Sequence, residues 1–210
     1  MIAIIDYGSG NVGSVKNALD YLGYTSVITH DKEIIKNADR VVFPGQGMFG
    51  DVMRNLEEKK LITPIIDFIS SGKPFLGICI GMQVLFDSSE ESPEQKGLGI
   101  LKGKVIKFRK GKIPQIGWNK IKSKTYVYPS SYFGSYLGDY LDEKYMYFAN
   151  SYYVVPDDKE IIAGETDYNI VFASAIIRKN VAGFQFHPEK SGKDGLKLLK
   201  KWLEDAMRTN

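Results

Sequence analysis

The sequence predicts an α/β protein: a mainly parallel sheet covered by helices on both faces, with a smaller antiparallel portion added in the second half of the chain. Three observations carry this. Up to residue 86, short apolar runs alternate with amphipathic segments, the strand–helix–strand order that produces parallel sheets. From residue 99 onward, strand-like runs follow one another with little between them. An amphipathic helical stretch then closes the chain. With 210 residues and 43% hydrophobic content, one good core can be buried, so residues 1–210 are expected to form a single domain.

In chain order, "IAIID" (2–6) reads as a buried strand, and "VGSVKNALDYLGY" sets Val12, Val15, Leu19 and Leu22 at helical spacing before Gly23 stops the helix. "TSVIT" (25–29), "RVVFP" (40–44) and "PFLGIC" (74–79) read as further strands, with helical segments such as "LITPIIDFISS" (61–71) between them. After them "IGMQVLF" (80–86) carries a helical pattern, with Ile80, Val84 and Leu85 turned inward. The later strands are "VIKF", "MYF", "YYVV", "EIIAGE", "NIVFASAII" and "VAGFQF". In the last helix (193–207), Leu196, Leu199, Trp202, Leu203 and Ala206 form one stripe, so its lysines face water.

Composition removes several function classes. The opening run has no basic flank and stops being apolar at Asp6, too short for a signal peptide or a membrane span, so a cytoplasmic chain is expected. A single cysteine and two histidines give no metal-finger spacing, and no metal site is expected. The net charge of +3 comes from dispersed lysines without interleaved aromatics, which argues against nucleic acid as a partner.

Two local patterns compete as the functional site. Gly8, Gly10 and Gly13 have the G-x-G-x-x-G spacing between a strand and a helix, and Asp31 follows the next strand where a ribose-binding acid would sit. That is a nucleotide-binding reading; the plain alternative is that these glycines only permit a tight turn. The other pattern surrounds Cys79. A free cysteine is often just a small core hydrophobe. Here it ends an apolar strand and opens a helical pattern as Gly77-Ile78-Cys79-Ile80-Gly81, the nucleophile-elbow arrangement with sulfur in place of oxygen. A helix start favours the thiolate, the form that attacks.

A thiol nucleophile needs a base. His30, in "ITHDKE", has no partner pattern and reads as a surface residue. His187 ends a strand in "GFQFHPEKS", with Pro188 fixing an extended backbone and Glu189 two residues on, so both side chains can share a side. A carboxylate there can hold the imidazole tautomer while the other ring nitrogen takes the thiol proton.

The segments "GICIGMQ" and "FQFHPEKS" resemble the class I (triad) glutamine amidotransferases. "IIDYGSGN", "PGQGMFGD", "PQIGWN" and "NSYYV" are similar to one branch of that family, glutaminase subunits that pass ammonia to a cyclase in histidine biosynthesis. The similarity covers essentially the whole chain. It implies a flavodoxin-like three-layer fold, no cofactor, and hydrolysis of the glutamine side-chain amide through a glutamyl thioester on Cys79, with His187 as base and acid and Glu189 as its support. It implies an oxyanion hole from the backbone at Gln46, Gly47 and Ile80, including a peptide near Gln46 that reorients, in "PGQG" where Gly45 and Gly47 allow backbone states closed to other residues. It further implies a glutamine site of Gly45, Gly47, Gln83, Asn150, Ser151 and Tyr152. Asn11, Trp118, Asn119, Tyr147 and Lys190 would meet a (βα)8-barrel cyclase in a heterodimer, although Trp118 could equally be a core residue. Two departures stand out: Asn150 replaces a histidine of the family pattern, and the 123–144 connection is longer and rich in tyrosine. They leave open a paralogue that feeds another synthase, for instance one that amidinates a surface sugar.

Overall fold

Short runs of apolar residues, too short for buried helices, pair edge to edge at the centre of the molecule. The structure, a computed structural model, describes residues 1–8, 11–124 and 134–205. In chain order its elements are β1 (Ile2–Ile5), α1 (Val12–Tyr21), β2 (Ser26–Thr29), α2 (Lys32–Asn37), β3 (Arg40–Phe43), α3 (Phe49–Glu58), α4 (Ile62–Ser70), β4 (Phe75–Ile78), α5 (Ile80–Gln83) and β5 (Ser88–Ser89). There follow β6 (Gly103–Lys107), β7 (Gln115–Lys120), β8 (Lys122–Ser123), α6 (Gly134–Leu141), β9 (Tyr145–Asn150), β10 (Tyr152–Pro156), β11 (Ile162–Asp167), β12 (Val171–Arg178), β13 (Val181–Phe184) and α7 (Gly192–Asp205).

The strand order β2-β1-β3-β4-β13 is parallel throughout, continued by β12, β10 and β6 in antiparallel pairing. That parallel order is the flavodoxin-like one, and in such sheets ligands bind outside the carboxyl ends of the strands. The mainly parallel sheet and its antiparallel extension match the expected fold class. A separate antiparallel ribbon, β7 with β9, stands beside the main sheet.

The three layers follow from the period of two in a strand. On β1, Ala3 and Ile5 pack into a core with Val52, Leu56, Ile65 and Phe68 of α3 and α4, while Ile2 and Ile4 pack on the other face with Leu19 of α1 and Leu199, Trp202 and Leu203 of α7. The closing stripe is buried at Leu199, Trp202 and Leu203, and Leu198 joins it. Gly10, residues 125–133 of the tyrosine-rich connection and Ala206 lie outside the described residues. Among the described residues, no helix is long and apolar enough to cross a membrane.

Two sequence expectations need correction. The helical pattern over 80–86 yields only the single turn of α5, because the carbonyls of Val84, Leu85 and Phe86 accept from Leu98, Leu101 and Gly99 of a loop that packs across them. A one-turn helix has little macrodipole, so the helix-start help expected at Cys79 is small. The nucleotide-binding alternative also loses support at its described residues Gly13 and Asp31. A Cβ on Gly13 would meet nothing within 4 Å, so no close helix approach depends on it, and the Asp31 carboxylate accepts from Glu33 and Ile34 as the cap of α2.

Candidate active site

Three loops leave the carboxyl ends of β3, β4 and β13 side by side, and the residues singled out by sequence ride on them. After β4 the backbone turns sharply at Cys79, which takes φ 51° and ψ −110°. A non-glycine residue held there costs about 1–3 kcal/mol, which the surroundings must offset. Glycines make the turn possible by removing bulk: a Cβ on Gly77 would stand 2.5 Å from the Gly81 carbonyl oxygen, and one on Gly81 would stand 2.3 Å from that of Phe43. Gly45 of the β3 loop presses on the same turn, since its Cβ would lie 2.0 Å from the Ile78 oxygen and 2.7 Å from the Cys79 Cβ. Gly45 is therefore needed for closeness, not for an unusual φ; only Gly47, at φ 125°, uses the conformational freedom expected of both.

The thiol is 8% exposed and opens on a cleft of ≈ 210 Å³. Every residue expected at the nucleophile, the oxyanion hole and the glutamine site lines this cleft: Gly45, Gln46, Gly47, Cys79, Ile80, Gln83, Asn150, Ser151, Tyr152 and His187. A larger hollow of ≈ 690 Å³ between α2 and α4 is lined by lysines and holds none of them.

Behind the cleft, His187 Nδ1 lies 2.8 Å from Glu189 Oε1, and the two side chains are 2% and 1% exposed. The sequence expectation of a shared strand face is replaced here by a one-turn 3-10 helix, Pro188–Lys190, capped by His187, which curls Glu189 back onto the ring. Burial opposes a charge on His187, but hydrogen bonds from the imidazole to Cys79 and Glu189, and the charge on each, outweigh it and push the imidazole up to about 10. The ring's place between Cys79 and Glu189 thus raises its affinity for a proton. His30 stands at the surface beside Asp6.

The backbone donors are distributed unevenly. As first residue of α5, Ile80 has no intrahelical acceptor for its N–H. The Gln46 N–H is already engaged, donating to the Tyr7 hydroxyl at 3.1 Å, and that hydroxyl donates in turn to the Gln46 carbonyl at 2.7 Å. Gln46 therefore has no free amide to offer an oxyanion in this conformation, which leaves Gly47 and Ile80. Gln83 donates both amide hydrogens, to the Tyr152 carbonyl at 3.1 Å and to Gln185 Oε1 at 2.9 Å, so only its own oxygen is left for the cleft. Asn150 also donates to the Tyr152 carbonyl, at 2.9 Å.

Sequence reasoning missed Tyr7, Glu91 and Gln185. Glu91 lines the cleft and accepts from the Phe49 N–H at 2.7 Å. Gln185 is fully buried and donates to Cys79 Sγ at 3.5 Å. Its signal was present: one amide within the apolar run "VAGFQF", two residues before His187.

The residues expected at a partner interface are partly brought together. Trp118 is 53% exposed, not a core residue, and lies across the ribbon from Tyr147 with ring centroids 6.2 Å apart. Helix α1, whose N-cap is Asn11, packs against the turn that carries Lys190. Asn119 faces the other side of the ribbon, opposite the buried Met146.

Residues 3–206 match the family model described as glutamine amidotransferase class-I. The chain belongs to the class I glutamine amidotransferases. This amidotransferase is 47% identical to imidazole glycerol phosphate synthase subunit HisH of Desulfitobacterium hafniense, over 98% of this chain and 97% of that one. To the subunit of the same name from Pyrococcus furiosus it is 49% identical, over 95% and 96%. A solved glutamine amidotransferase structure superposes with a TM-score of 0.75 at 18% identity, covering 99% of this amidotransferase and all of the other chain, which speaks to the fold.

Proposed function

We propose that this amidotransferase is the glutaminase subunit of an imidazole glycerol phosphate synthase, hydrolysing glutamine at the cleft and passing ammonia to a cyclase in histidine biosynthesis. The observation that carries the chemistry is the meeting of Cys79 and His187, distant in sequence, on one cleft, with Glu189 buried behind the His187 ring. The names of its relatives carry the pathway, and none of those quoted points to the surface-sugar paralogue.

In this reading glutamine enters with its ammonium group on the free oxygen of Gln83 and its carboxylate toward the backbone at Ser151 and Tyr152. The Cys79 thiolate attacks the side-chain carbonyl carbon, and the oxyanion is met by the amides of Ile80 and Gly47. Removing one such donor costs about 3 kcal/mol. The His187 imidazolium gives its proton to the departing nitrogen, so ammonia leaves and a glutamyl thioester remains. Neutral His187 then takes a proton from water, whose oxygen attacks the thioester and releases glutamate. Glu189 keeps the ring in position through both steps. The partner is a (βα)8-barrel cyclase forming a cytoplasmic heterodimer, docked on the exposed ribbon face at Trp118 and Tyr147 and on the turn at Lys190.

The test is glutamate release from glutamine, measured with the cyclase and its substrate present. It is expected in the native chain and absent in Cys79→Ala; full activity in that variant overturns the mechanism.

A further inference from the structure

The orientation of one buried side chain follows from a hydrogen-bond chain that starts at a group with no alternative role. The Tyr152 backbone carbonyl can only accept, so the amide of Gln83 must turn its nitrogen toward it. That nitrogen stands 2.9 Å from the side-chain oxygen of Gln185 and gives it the second hydrogen, which fixes Gln185 with its oxygen toward Gln83. The Gln185 nitrogen then faces Cys79 Sγ at 3.5 Å. Gln185 is fully buried, so water does not compete for this contact.

We infer that Gln185 is a further catalytic residue of the glutaminase site, a fixed N–H donor that holds the Cys79 sulfur in its attacking, negatively charged form. This rests on the reading of Cys79 as the nucleophile. In that mechanism His187 serves the sulfur from one side, and Gln185, 3.5 Å away, supplies a second, uncharged donor. An amide suits that task because it stabilises sulfur charge without offering a proton that could quench the nucleophile. The relay also gives Gln83 two jobs: its nitrogen orients the donor to sulfur, which leaves its oxygen as the group Gln83 can offer to glutamine in the cleft it lines. The nucleophile and the substrate grip are thereby built on one pair of amides.

Cys79 is the only cysteine of the chain, so alkylation of the full chain by iodoacetamide reports on this sulfur alone. The other titratable groups around it are His187, Glu189 behind it, and Glu91 on the cleft wall. In Gln185→Met, which keeps length but loses the donor, the pH–alkylation profile moves to higher pH. The rate near pH 6 falls about tenfold or more, the loss of one hydrogen bond to a charged group, while the alkaline plateau is unchanged. Gln83→Met, which leaves Gln185 in place but unoriented, moves the profile the same way by less and serves if Gln185→Met does not fold. A profile that overlays the native one in the folded variant, or a rate lowered equally at every pH, overturns the inference and leaves Gln185 a packing residue. Glutaminase activity persisting in Cys79→Ala would instead overturn the mechanism itself, an outcome the alkylation profile does not share.

Discussion

Glu189 Oε1 stands 2.8 Å from His187 Nδ1 with both side chains shut away from solvent, so the carboxylate acts on the cleft only through the ring it holds. Orientation is a smaller task than proton transfer. Glu189→Gln is expected to lower kcat for glutamine hydrolysis about 10⁴-fold and His187→Ala about 10⁶-fold, the scale at which comparable triads lose their supporting and central members. Steady-state kinetics with the cyclase present measures both; equal losses contradict this division of roles.

The imidazole of His187 has a raised proton affinity in the folded chain, about 10 against an ordinary 6.5, so its protonated form favours folding. That contribution is whole below about 6.5 and is lost as pH rises through about 10. Urea midpoints of the native chain, compared with those of His187→Gln, are therefore expected to fall more steeply between pH 7 and 10. In Cys79→Ala two of the raising influences vanish, and the ring is expected to titrate lower by NMR, the only other histidine being His30.

Gly45 and Gly13 look alike in sequence and differ in space. An alanine at Gly45 collides with backbone at Ile78, which cannot swing aside, so Gly45→Ala is expected to cost about 2 kcal/mol or more and to distort the elbow. Gly13→Ala, inside α1 with open space around it, is expected to stabilise by about 0.5–1 kcal/mol. Thermal denaturation separates the two, and a destabilising Gly13→Ala would revive a packing role for the glycine loop.

Tyr7 is fully buried, stacked on Phe43, with its hydroxyl clasping the Gln46 backbone. Tyr7→Phe is expected to cost about 1–3 kcal/mol and to speed hydrogen exchange at the Gln46 amide, since that donor loses its acceptor. Exchange unchanged in the variant shows that the clasp does not hold this peptide.

Trp118→Ala removes an exposed ring, so chain stability is expected to change by less than about 0.5 kcal/mol. Binding to the barrel cyclase, measured by calorimetry, is expected to weaken by about 2 kcal/mol, as for a central aromatic anchor. Unchanged affinity removes Trp118 from the docking surface.

Much of this was legible because it rests on short-range pattern. The runs at 2–6, 40–44 and 74–79 were readable as strands since burial on both faces demands unbroken apolar sequence, and they are β1, β3 and β4. The elbow was readable from Gly77 and Gly81, whose lack of a side chain is a local requirement. What stayed hidden depends on distant partners. β7 alternates the wrong way round for a strand half-buried in its own chain: Ile116 and Trp118 lie on the exposed face while Gln115 is buried. α5 is cut short by a loop some fifteen residues further on, and the aim of the Gln185 amide is set by a carbonyl at Tyr152. The side to which Asn119 points depends on ribbon register, which spacing alone does not fix.

The ribbon of β7 and β9 has a further consequence. Its exposed face carries Trp118 and Tyr147, while the end of β9 supplies Ala149 and Asn150 to the cleft wall. A protein seated on that face would share one strand with the cleft wall. Thermodynamic reciprocity then requires that whatever factor docking adds to glutamine affinity, glutamine adds to docking. If docking tightens glutamine binding, the amidotransferase grips its partner most firmly when it holds something to deliver.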